Sequence, residues 1–65
     1  MREFFIFTAA DETCTVKEEG FETTQAFSDI LEALAYVRRQ RGGEAVKVTS
    51  LGPTGEVIFT DTISP

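Results

Sequence analysis

Several short segments of this chain alternate apolar and polar positions, and one near its start does not. Glu3-Phe4-Phe5-Ile6-Phe7 holds four consecutive apolar residues, three of them Phe. Strand side chains point to alternate faces, so Phe4 and Ile6 share one face and Phe5 and Phe7 the other. Both faces of this strand therefore need cover. Residues 2 to 9 predict the first strand, and Ala9-Ala10-Asp11-Glu12 is a polar break suited to a hairpin turn. Thr13 to Glu18 sets Cys14 and Val16 against Thr13, Thr15 and Lys17, the pattern of a half-buried strand. Beyond Glu19-Gly20, residues Phe21 to Ala26 alternate only weakly and form a candidate third strand.

The period then changes. Ile30, Ala33, Leu34 and Val37 fall at i, i+3, i+4 and i+7, one apolar stripe of a helix edged by Leu31 and Tyr36. Asp29 followed by Glu32 has capping-box spacing, with Asp29 accepting from the third backbone N–H and Glu32 reaching back to the cap. Arg38, Arg39 and Arg41 gather where cations complement the helix dipole, and Gly42-Gly43 supplies the stop. Val46 and Val48, then Val57 and Phe59, alternate with polar neighbours on either side of Leu51-Gly52-Pro53-Thr54-Gly55, predicting a hairpin.

The expected fold is α+β: a small antiparallel β-sheet of four strands, or five if residues 21–26 join, with one α-helix packed on one face. The order is β-β-(β)-α-β-β in a single domain, 1–65. The helix stripe of Ile30, Leu34 and Val37 should face Val16, Val46, Val48, Val57, Phe59 and one pair from the first strand. If Phe5 and Phe7 turn inward, Phe4 and Ile6 join Ile58 and Leu51 in an apolar patch on the second face. Exchanging the pairs changes the names and keeps the patch, and such a patch marks a contact.

Size and composition sharpen this. A domain of 65 residues buries only about 60% of the surface its unfolded chain exposes, so a second copy of the chain is a natural source of further burial. Eleven acids against six bases give a net charge of -5, which disfavours nucleic-acid backbones as partners. The local Arg38/Arg39/Arg41 patch is the one reservation. The apolar run is far too short for a membrane span or a signal segment, and an unpaired cysteine suits a reducing compartment. A soluble, cytoplasmic protein with no membrane attachment is expected.

Cys14-Thr15-Val16-Lys17-Glu18-Glu19-Gly20, Phe27, Glu32-Ala33, Arg38 to Gly43 and Gly55-Glu56-Val57-Ile58 follow one another in a recognisable order. This order resembles the DUF2188 family of short bacterial proteins of unknown function, in which a Val-Lys-x-x-Gly strand precedes a Glu-Ala helix, a basic Gly-Gly stretch and a Gly-x-Ile hairpin. The resemblance implies the α+β fold and carries over no catalytic residues. A second likeness is to small antitoxins of the HicB type, in which a hairpin precedes a Glu-Ala helix.

The residues offer little chemistry. There is no His to serve as a base for Cys14, and a small free cysteine is commonly a core residue. Glu12, Glu18, Glu19 and Glu22 flank turns as a solvated rim, without the spacing of a calcium loop. No catalytic, cofactor or metal residues are assigned, and no cofactor is expected. The expected function is a non-enzymatic protein-interaction or homodimerisation module, its candidate interface Phe4, Ile6, Ile58 and Leu51, with an unidentified protein as a further partner. The alternative is a nucleic-acid-binding or antitoxin-like domain using Arg38, Arg39 and Arg41 as an anion patch.

Overall fold

The computed structural model describes residues 1–64. Strands β1 (Arg2–Thr8), β2 (Cys14–Glu18) and β3 (Thr24–Phe27) are followed by helix α1 (Ile30–Gln40) and strands β4 (Val46–Leu51) and β5 (Val57–Ile63). The weakly patterned segment does supply a strand, shifted toward its end. All five strands form one sheet in the order β3-β2-β1-β4-β5.

The expected α+β arrangement of strands and one helix is present, with one correction to the sheet. It is mixed: β1 pairs with β2 antiparallel but with β4 parallel, Phe4 lying beside Val48 and Ile6 beside Ser50. The reason is topological. Three strands in succession leave the chain at the far end of the sheet, and α1 carries it back, so β4 sets out from the same end as β1. Such a crossover is what a parallel pair requires.

The two faces of β1 are now distinguished. Phe4 and Ile6 lie under the helix, 2% and 0% exposed, with Cys14, Val16, Val46 and Val48 beside them and Ala33 and Val37 above. Phe5 and Phe7 point to the opposite face. Phe4 and Ile6 are therefore core residues, and their expected place in a surface patch is corrected. The helix packs mainly on β1, β2 and β3, and Phe27 meets Tyr36 with ring centroids 5.1 Å apart.

Val57 also departs from expectation, being 63% exposed. The β4–β5 register runs Ser50↔Phe59 and then Leu51↔Val57, so Ile58 is an extra residue at a bulge. A bulge resets the alternation, which sends Val57 to the face of Leu51 and leaves Phe59 partly buried against the core.

The helix ends follow local chemistry. Asp29 Oδ1 accepts from the Glu32 N–H at 2.9 Å, while the Glu32 carboxylate is engaged by the Ser28 hydroxyl rather than by the cap N–H. At the other end Arg41 is the C-cap and Gly42 takes φ +60°. In the β1–β2 turn Glu12 adopts φ 72°, a left-handed conformation without glycine.

Two consequences are measurable. Phe4→Ala should cost about 3–5 kcal/mol and Phe7→Ala much less, as read by urea denaturation; equal losses would contradict the face assignment. Relieving the left-handed Cβ strain at position 12, about 1–2 kcal/mol, should make Glu12→Gly raise the melting temperature. An unchanged or lower value would show that the turn carries no strain.

Candidate interaction surface

On the face without a helix, neighbouring strands set side chains in rows. Phe5 lies beside Lys17 on β2 and Thr49 on β4, and Phe7 beside Thr15 and Leu51. Leu51 in turn pairs with Val57. Phe7, Leu51 and Val57 therefore form an apolar row from the centre of the sheet to its edge, with Ile58 beyond. Phe7 is 41% exposed and Ile58 55%, while Leu51 is half-buried. The Phe5 and Phe7 ring centroids are 6.5 Å apart, and Thr49 is buried between Phe5 and Thr60. Lys47 Nζ stands 3.7 Å from the Glu3 carboxylate at the other end of this face.

Of the candidate interface, Ile58 and Leu51 thus stay at the surface, whereas Phe4 and Ile6 do not. Phe5 and Phe7 take their place, as the exchange of pairs allowed. Only the tertiary packing shows which pair is free, because both are equally apolar.

The arginine turn lies elsewhere. Arg38 and Arg39 are exposed on the last turn of α1, on the helix side of the sheet. Arg41 is half-buried, its Nη1 donating to the Glu44 carbonyl at 3.4 Å. The open face with its phenyl rings and the arginine turn are on opposite sides of the molecule, so one ligand strand cannot engage both.

Arg2 makes the most connected polar cluster. Its Nε and Nη2 donate to the two Glu18 carboxylate oxygens at 2.7 and 3.0 Å, and Nη1 donates to the Gln40 carbonyl at 2.6 Å. Its guanidinium also lies 5.3 Å from the centroid of the Phe4 ring. One side chain thereby ties β1 to β2 and to the last turn of the helix. The hydrogen bond from Arg2 holds the Glu18 carboxyl below its usual range, against the opposing effect of burial. Beside this cluster a cleft of about 100 Å³, lined in part by Glu18, Phe21, Tyr36 and Gln40, is smaller than ordinary ligand pockets.

Cys14 is fully buried, its Sγ 3.6 Å from Thr8 Oγ1 and 3.7 Å from the Glu12 carbonyl. Among the described residues no three His, Cys, Asp or Glu side chains gather to hold a metal, and no helix is long and apolar enough to cross a membrane.

The depressed carboxyls set the acid response. Asp11, held low by the Thr13 hydroxyl, and Glu56, held low by the Thr54 hydroxyl, join Glu18. Each contributes stability that is full above the unfolded carboxyl pKa of roughly 4 and is lost as pH falls through its lower folded value. Urea midpoints should hold steady from neutral pH to about pH 5 and drop below about pH 4. Glu18→Gln should lower the neutral midpoint and flatten the acid drop; an equally steep drop would remove Glu18 as a cause.

Comparison with family models, curated proteins and solved structures finds no match to this chain.

Proposed function

We propose that this chain is a non-enzymatic protein-contact module that works as a homodimer. The observation that carries the reading is the apolar row Phe7, Leu51 and Val57, which among the described residues has no helix over it and runs to the edge of the sheet. Contiguous exposed apolar surface of this kind marks contact sites in small soluble proteins, and a two-fold pair of identical surfaces is the commonest way to bury it. The non-enzymatic part is supported by the absence of His from the sequence and by the packing of Cys14 within the core.

The alternative, nucleic-acid or antitoxin-like binding through Arg38, Arg39 and Arg41, has weaker support. Two of the three guanidinium groups are free in solvent, but they sit at the negative end of the helix dipole on an acidic protein. Labelled RNA and DNA are expected to show no saturable binding at low salt; binding lost on Arg38→Ala with Arg39→Ala would favour this alternative instead.

Light scattering behind size exclusion tests the leading reading. A dimer mass that dissociates on dilution is expected. Because each copy carries a net charge of -5, screening by salt should tighten the pair. A monomer at every concentration and salt would overturn the homodimer.

A further inference from the structure

We infer that the cleft between the end of α1 and the β2–β3 turn is a binding site for a fully methylated ammonium group, held by the rings of Phe4, Phe21 and Tyr36. The site stands apart from the homodimer reading, because it lies on the helix side of the sheet and the Phe7 row on the other.

The cleft collects aromatic rings from three separate elements. Phe4 comes from β1, Tyr36 from α1, and Phe21 from the turn between β2 and β3. Gly20 takes φ +88° and the Phe21 N–H donates to the Glu18 carbonyl at 3.0 Å, closing a turn that sets Phe21 at the rim. Phe21 is 57% exposed, so its ring is not spent on the core. Tyr36 rests against Phe27. Aromatic faces attract cations, and rings gathered around one gap are the arrangement that takes quaternary ammonium groups. The Phe4 ring already shows the attraction, with the Arg2 guanidinium 5.3 Å from its centroid.

Size and charge narrow the ligand. An apolar cavity of about 150 Å³ admits benzene. A cleft of about 100 Å³ is then filled by about four heavy atoms, the nitrogen and methyls of a trimethylammonium head, with the rest of the molecule in solvent. The surroundings favour positive charge. Arg2, the neighbouring cation, is matched by Glu18, and the exposed Glu19 and Glu22 flank Phe21. Gln40, the last residue of α1, brings the negative end of the helix dipole to the cleft.

Full methylation follows from the hydrogen bonds. Glu18 is the one carboxylate lining the cleft, and both its oxygens accept from Arg2, at 2.7 and 3.0 Å. A primary ammonium brings three N–H donors and finds that acceptor engaged. A quaternary one has no donor to satisfy. Its source is either free choline or a trimethylated lysine side chain of another protein, since the cage touches only the head group.

Titrations followed by amide NMR test the site and separate the sources. Choline should give saturable shifts at Phe21, Thr23, Tyr36 and Gln40. Dimethylbutanol, its uncharged isostere with carbon in place of nitrogen, should bind about tenfold more weakly or worse, and so should unmethylated ethanolamine. Phe21→Ala should weaken choline by about threefold or more with the dispersion of the spectrum retained, whereas Tyr36→Phe, which keeps the ring, should leave it unchanged. A trimethyllysine peptide that binds more tightly than choline assigns the head group to a protein side chain; the reverse order assigns it to the free amine. Equal binding of choline and dimethylbutanol would reduce the cleft to plain apolar filling and overturn the inference. Equal binding of ethanolamine, indifference to Phe21→Ala, or no saturable shift with choline or the peptide would overturn it as well. None of these readouts depends on whether the chain is a monomer or a dimer.

Discussion

A single helix about 10–12 Å across lies on a sheet whose outer strands are roughly 19 Å apart. It can shield about three strands on one face and nothing on the other. The chain answers this by placing β1 at the centre and burying Phe4 and Ile6 beneath α1, where they meet Val16, Val48 and Val37. What the helix leaves uncovered is then determined: the whole second face, and β5 at the margin. The surfaces available for function are those that this cover leaves exposed.

The same limitation explains the weight carried by Arg2. A small core holds the helix by few apolar contacts, chiefly Ala33 and Val37. The charge-assisted bonds from Arg2 to Glu18 and to the Gln40 carbonyl fix the last turn of α1 over the sheet, at the end opposite the Asp29 cap. Cap and latch act at opposite ends of one helix, so its position depends on polar contacts as well as on packing.

Three of the carboxyl groups are tied into the fold. Glu18, Asp11 and Glu56 are each held charged by a neighbouring donor in a turn or latch.

Much of the fold was legible in the sequence, because local chemistry specified it. The Asp29 cap, the Ile30-to-Val37 stripe and the Gly42 stop bounded the helix, and the Gly52-to-Gly55 turn marked the last hairpin. These signals depend on neighbours a few residues away. The site was only partly legible: the sequence implied an apolar surplus on β1 and named Leu51 and Ile58, but it could not choose between Phe4 with Ile6 and Phe5 with Phe7. Both pairs have the same hydrophobicity and the same period, and the choice is made by which face receives α1. The parallel β1–β4 pairing, the bulge at Ile58 that turns Val57 outward, and the exposure of β5 likewise depend on how distant segments stack. Sequence by itself set the elements and their ends; tertiary structure alone decided which surfaces they leave free, because burial belongs to the packed whole.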